Sequence, residues 1–253
     1  MRMDKLAPTD YKTMIPYIDK TTGGAVYPLS IAELTQQGEV YTEGSSVLFW
    51  HYSGFAFLYG VCDDDFLSRV YENFLSVDSI TSRRFILFAT NEQVKRFFRD
   101  KDNIVSGKRC FFAYPDGYAS RHGTVPANLE IREINRELFD KMEGVVTPRF
   151  SWVNSSEFLN KGKGYCITDG KTAVAWAFSA AVSTDEIDIG IETRAEYRHL
   201  GLGTIAAGQM IRYCFEQCKR PVWACNASNT MSQKLAEKLG FLKASECDTF
   251  RKF

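Results

Sequence analysis

Apolar positions along the first half of the chain alternate between two periods. The run SSVLFWHYSGFAFLYGVC, 45–62, is rich in aromatic and β-branched residues on either side of Ser53-Gly54. It predicts two strands joined as a hairpin. In DDDFLSRVYENFL the period changes: Phe66, Val70 and Phe74 recur at helical spacing, as do Leu67, Tyr71 and Leu75. A strand (RRFILFAT), a helix (NEQVKRFFRD) and a strand (RCFFAY) follow. The stretch PDGYASRHGTVPAN, 115–128, concentrates turn residues and is the expected boundary between domains at 1–124 and 125–253.

The second half starts again with a strand, NLEIREI, and a helix, NRELFDKMEG; SWVNSSEFLNKGKG predicts another short helix. GYCITDGKTAVAWAFSAAV forms a hairpin about Asp169-Gly170. In DEIDIGIET the alternation is strict, with Ile187, Ile189 and Ile191 on one face and Glu186, Asp188, Gly190 and Glu192 on the other. TIAAGQMIRYCFEQC is helical, with Ala207, Ile211 and Phe215 in register; PVWAC is a strand. NTMSQKLAEKLG is a helix capped by Asn229 and closed by Gly240, and FLKASECDTFRKF is expected as a final strand pair. The fold class is α/β.

Composition narrows the partners. The 253 residues carry 31 Lys plus Arg against 31 Asp plus Glu, without a basic block. Nucleic acid and anionic membranes call for clustered positive charge, so neither is the expected partner. No apolar run is long enough for a membrane span, and the start lacks a signal-peptide core. The seven cysteines form no CxxC pair, and His51, His122 and His199 are scattered. Reduced thiols, no metal site and a cytoplasmic location are expected. Asp63, Asp64 and Asp65 are consecutive acids at a helix start, where the dipole favours them.

The candidate chemistry lies in RHLGLGTIA, Arg198 to Ala206. Gly201-x-Gly203-x-x-Ala206 fits a dinucleotide fingerprint, while Arg198-x-x-Gly201-x-Gly203 fits the pyrophosphate loop of acyl-CoA-dependent transferases. A dinucleotide fold needs an acidic residue at the end of the next strand to bind a ribose hydroxyl. Here that strand ends in Cys225-Asn226, and too little chain remains for a doubly wound sheet.

The acyl-CoA reading keeps its context. YRHLGLGTIAAGQMI, followed at the right distance by Asn229-x-x-Ser232-x-x-Leu235 and Gly240-Phe241, resembles the GNAT N-acetyltransferase superfamily over roughly residues 128 to 253. SWVNSSEFLNKGKGYCI, IDIGIETRAEYRHLGLGT and PVWACNASNTMSQKLAEKLGF together resemble the zwittermicin A resistance-type acetyltransferases. The resemblance implies a C-terminal GNAT fold, a mixed, splayed sheet flanked by helices. A divergent α/β domain precedes it, a candidate degenerate copy of the same architecture.

It also implies acetyl-CoA as cofactor. Its pyrophosphate would lie on Arg198, His199, Leu200, Gly201, Leu202, Gly203 and Thr204, where side-chain-free glycines and the helix dipole favour an anion. Backbone groups of Ile191 to Thr193 would pair with pantetheine, one N–H facing the thioester carbonyl. Asn229 and Ser232 fall where the family contacts the cofactor arm, and Asn229 is equally a helix N-cap.

Acetyl transfer requires a neutral amine, and a carboxylate near the end of the central strand can take its proton. Glu192 is the first candidate, with Asp188 and Glu186 on the same face. Ala236 stands where many GNAT enzymes carry an acidic tyrosine, so the proton donor to the departing thiolate is open, Tyr213 being one option. The expected function is acyl transfer from acetyl-CoA to a small-molecule primary amine. A CoA-binding module without catalysis and a protein or peptide amine acetyltransferase are the alternatives.

Overall fold

The computed structural model describes residues 3–79, 81–115 and 123–253. Most of the turn-rich stretch expected between domains, residues 116–122 with His122, lies outside the described residues. The chain forms two compact units. One comprises Met1–Cys110, Cys225–Ser228 and Ser245–Phe253, the other Phe111–Ala224 and Asn229–Ala244.

The first unit contains β1 (Asp4–Lys5), α1 (Val26–Ala32), β2 (Gly38–Glu43), β3 (Ser46–His51), β4 (Phe55–Tyr59), α2 (Asp64–Val70), β5 (Ile86–Phe88), α3 (Glu92–Arg99) and most of β6 (Ile104–Ala113). The predicted 45–62 hairpin is β3–β4, and every residue of both strands is buried. Strands covered on both faces lose their polar alternation. His51, Phe55 and Phe57 meet Tyr27 of α1 on one face. On the other, Leu48, Trp50, Ala56 and Leu58 share a core with Phe66, Leu67 and Val70 of α2 and with Val94 and Phe98 of α3. The helix predicted through Leu75 is α-helical only to Val70 and continues as a π-helical turn, Tyr71–Leu75.

The second unit carries β7 (Glu130–Glu133), α4 (Arg136–Lys141), α5 (Ser155–Lys161), β8 (Gly164–Asp169), β9 (Thr172–Val182), β10 (Glu186–Thr193), α6 (Leu202–Glu216), most of β11 (Arg220–Asn226) and α7 (Thr230–Leu239). The last strand, β12 (Leu242–Lys252), is one strand rather than the expected pair. Its residues from 245 onward cluster with the first unit, where Thr249 pairs with Phe88 and Phe250 with Leu87. Strand order is β1-β2-β3-β4-β5-β12-β6 in the first unit and β11-β10-β9-β8-β7 in the second.

One sequence of elements occurs twice along the chain. An antiparallel pair (β3–β4; β9–β10) passes through a helix (α2; α6) to a strand parallel to its second member (β5; β11). A further helix (α3; α7) and strand (β6; β12) follow.

Candidate functional site

The second unit's sheet opens at β10. That strand pairs with β11 at Glu186↔Arg220, Ile187↔Pro221 and Asp188↔Val222, and there the pairing stops. On its other side β10 follows β9 as far as Thr193↔Ala175. Residues Ile189 to Thr193 therefore run without a β11 partner and form one arm of a fork. An extended backbone edge of this kind needs hydrogen-bonding partners from elsewhere. A register shift between Asp188 and Ile189, opposite β9, marks the start of the opening.

After Thr193 the chain makes a 3₁₀ turn, Ala195–Tyr197, and enters α6. The loop is tied at two points: Tyr197 Oη donates to Asp169 Oδ2 at 2.8 Å, and Arg198 Nε to the Thr193 carbonyl at 3.3 Å. The first bond raises the Tyr197 phenol above its ordinary range. His199 has φ +65°, and Gly201, the residue before α6, has φ +76°. A Cβ on Gly201 would meet nothing within 4 Å, so its backbone conformation, not crowding, calls for glycine. Gly203 differs: a Cβ there would lie 3.2 Å from Thr193 Oγ1 and 3.4 Å from Ile191 Cδ1. It lets the start of α6 sit directly against the end of β10.

The start of α6 differs from those of most helices in this chain, α1 being the other without a side-chain cap. α2, α3, α4, α5 and α7 are each capped by an Asp or Asn side chain that accepts an N–H of the first turn: Asp63, Asn91, Asn135, Asn154 and Asn229. No side chain caps α6. Its first N–H groups keep their hydrogen-bonding capacity and the positive end of the dipole, which suits an anion. Leu200, at the loop tip, is 56% exposed, whereas Leu202 is buried and anchors the helix.

The remaining site residues have distinct surroundings. Asn229 Oδ1 accepts from the Ser232 N–H at 3.1 Å, the expected cap, and Ser232 Oγ accepts from Trp223 Nε1 at 3.1 Å. The three acids of β10 do not share one environment, as strict alternation had implied. Glu186 is paired with Arg220, Nη2 to Oε1 at 2.6 Å. Asp188 is only 3% exposed, at the closed end of the fork. Glu192, on the open arm and half-buried, accepts from the Val146 N–H through Oε2 at 2.7 Å.

The bond from Val146 to Glu192 was not legible in the sequence, because the segment EGVVTP, 143–148, carries no motif. Ala236 is fully buried. Tyr213 lies with Tyr165 near the Lys163 ammonium, and burial raises its phenol. Burial also pushes the Cys214 thiol up to about 12, which leaves it unreactive at neutral pH. Among the described residues no cluster of His, Cys, Asp or Glu could hold a metal ion. Asp63 instead caps α2. None of the described helices is long and apolar enough to cross a membrane.

Known proteins share this architecture. An uncharacterised N-acetyltransferase of Bacillus subtilis (strain 168), YdfB, is 28% identical over 247 residues, which covers 93% of this chain and 92% of that protein. Among solved structures, a GCN5-related N-acetyltransferase-like protein from Streptococcus suis 89/1591 superposes with a TM-score of 0.73 at 20% identity, over 98% of this chain and 100% of that one. A tandem GNAT protein from the clavulanic acid biosynthesis pathway gives a TM-score of 0.61 at 11% identity, over 98% of each chain. The family model for GNAT acetyltransferases matches residues 28–250, thus including both repeats of the element order. With that match over most of its length, the chain belongs to the GNAT acetyltransferases.

Proposed function

We propose that this acetyltransferase moves an acetyl group from acetyl-CoA to a primary amine of a small molecule, with the fork and the start of α6 as its cofactor site. The observation that carries the proposal is the uncapped start of α6, set against the unpaired arm of β10. The N–H groups of Leu202, Gly203 and Thr204, with Arg198, would hold the pyrophosphate. The edge of β10 from Ile191 to Thr193 would pair with the pantetheine arm. Bound acetyl-CoA supplies an activated acyl carbon and a thiolate leaving group.

Glu192 would remove the amine proton. Of the three β10 acids it alone lies on the open arm with neither an ion-pair partner nor complete burial. The small-molecule acceptor is supported by the three segments that resemble zwittermicin A resistance-type enzymes. The repeated element order supports reading the first unit as a degenerate GNAT copy, as in a tandem protein. Seven free thiols, five of them buried, suit the reducing cytoplasm.

Fully buried Ala236, which offers no hydroxyl to the departing thiolate, favours a second reading: binding of CoA without transfer. Two measurements decide. Acetyl-CoA and CoA, but not NADH, are expected to raise Tm by roughly 5–10 °C at a hundredfold excess over Kd. A panel of primary amines, assayed for CoA release, then separates enzyme from binding module. Glu192→Gln is expected to lower kcat by about 100-fold or more while CoA affinity stays within about twofold. Unchanged turnover across pH in that variant removes Glu192 as the base.

A further inference from the structure

Glu192 does not stand alone on its strand. In the β9–β10 register it lies directly opposite Trp176, which is fully buried. The segment Glu143–Val146 straps across this pair. Val146 donates its N–H to Glu192 Oε2 at 2.7 Å, while its carbonyl accepts from Trp176 Nε1 at 2.8 Å. One peptide residue thus links the indole to the carboxylate.

Gly144 makes the close approach possible. A Cβ there would lie 2.5 Å from Glu192 Oε2 and 2.7 Å from Trp176 Cζ2. Its φ is outside the left-handed region, so alanine carries no left-handed penalty there, and its nearest neighbours are the carboxylate and the indole. The strap is tied down at its ends. Arg149 donates to the carbonyls of Asp140, at 2.7 Å, and Met142. Glu143 pairs with Arg194, two residues beyond Glu192, at 3.8 Å. Between these ties Val145 is 83% exposed, which puts the strap at the surface and the carboxylate just beneath it.

We infer that Gly144 and Trp176 are positioning residues for acyl transfer: acting through Val146, they hold Glu192 by Oε2 and leave Oε1 to receive the proton of the acceptor amine. The inference rests on the acyl-transfer reading above. In the step it serves, the ammonium N–H bond breaks, its proton passes to Oε1, and the electron pair stays on nitrogen for attack. A carboxylate rotating about its side-chain torsions would present its oxygens in many directions. The strap fixes one direction, and small misplacements of a catalytic group are costly.

The test is a pair of double-mutant cycles built on Gly144→Ala, Trp176→Phe and Glu192→Gln, with kcat, KM and CoA affinity measured for each variant. Gly144→Ala is expected to lower kcat about tenfold or more with CoA affinity unchanged, because its methyl displaces the carboxylate without opening the core. Trp176→Phe is expected to act in the same direction. Neither should slow the Glu192→Gln enzyme any further. A wild-type kcat in Gly144→Ala, or losses that add in full to that of Glu192→Gln, would overturn the inference.

A readout without turnover keeps the two proposals apart. The Val146 amide is expected to be protected from hydrogen exchange in the parent, and exposed in Glu192→Ala and in Gly144→Ala. An amide that exchanges freely in the parent removes the strap, whatever the enzyme does. A protected amide in a protein that releases no CoA with any amine leaves the strap standing and removes the function it was argued to serve.

Discussion

The two strand-to-helix crossovers of this chain share a topology and differ in chemistry. In the first unit β4 pairs with β5 over three residues, Phe55↔Ile86 to Phe57↔Phe88; in the second β10 pairs with β11 over three. Beyond that point the first is closed. Thr90 Oγ1 donates to the Leu58 carbonyl at 2.7 Å, and the Cys62 N–H is taken by Ser46 Oγ at 3.1 Å. A Cβ on Gly60 would lie 1.8 Å from the Ser45 carbonyl oxygen, so the chain leaving β4 is also held against the start of β3. Asp63 then caps α2, followed by Asp64 and Asp65 in its first turn. In the second unit the corresponding edge is unpaired, the glycine faces open space and the helix is uncapped. An acid at the helix start answers the dipole with the protein's own charge. A glycine leaves that charge to a ligand, so the cofactor site follows from local chemistry on a shared topology.

The sharpest way to break the contrast is to give the second crossover the first one's solution. Gly201→Asp sets a carboxylate where Asp63 stands in the first unit. CoA affinity is expected to fall at least about 100-fold, roughly 2.7 kcal/mol, by titration calorimetry. Stability without ligand should fall by only about 1–2 kcal/mol, the cost of a side chain in the left-handed region. An undiminished CoA titration would move the phosphate site away from this loop.

Much of this contrast was legible in the sequence, for physical reasons. Left-handed backbone needs glycine and a helix start needs a cap, so Gly201, Asp63 and Asn229 announce themselves locally. The β3–β4 and β8–β9 hairpins were legible through their turn residues and paired apolar runs. What escaped depends on contacts distant in sequence. Buried Asp188 looks like its neighbours Glu186 and Glu192 until the β9 register shift and the β11 pairing are known. The grip of Val146 on Glu192 spans 46 residues, and nothing in EGVVTP encodes it. The strand β2 and the helix α1 leave little trace in the sequence, because their short apolar runs lack punctuation as strong as Ser53-Gly54.

Acid offers a smaller contrast, because it acts on a buried ring of the first unit. His51 is fully buried, its Nδ1 accepting from the Ser53 N–H at 3.1 Å, with the Ser53 hydroxyl 2.8 Å away. Burial, and secondarily the Arg83 charge, pulls its pKa from 6.5 down to about 3. The unfolded chain therefore binds a proton below about pH 6.5 that the native ring refuses until about pH 3. Stability contributed by the neutral ring is complete above 6.5 and is lost as pH falls through that window. Urea unfolding is expected to show a loss of about 2 kcal/mol between pH 7 and pH 5 from this group. His51→Gln, which keeps an acceptor for Ser53, should flatten the slope; a slope retained in that variant would assign the acid sensitivity elsewhere.

The smallest effect asks whether the first crossover has kept any part in cofactor binding. Asp63→Ala removes the bond its carboxylate accepts from the Phe66 N–H at 2.9 Å. The cap is worth about 1 kcal/mol, and urea unfolding should lose that much. Asp64 and Asp65 remain in the first turn and keep the helix start acidic, so exposing one N–H does not create an anion site. CoA titrations of Asp63→Ala should accordingly superpose on those of the parent, with the same stoichiometry. A second CoA equivalent, however weak, would mean that one carboxylate is all that separates the closed crossover from the open one. A single equivalent with unchanged affinity would mean that the sealed edge of β4, with Thr90 on Leu58, closes the first crossover even where the cap is gone.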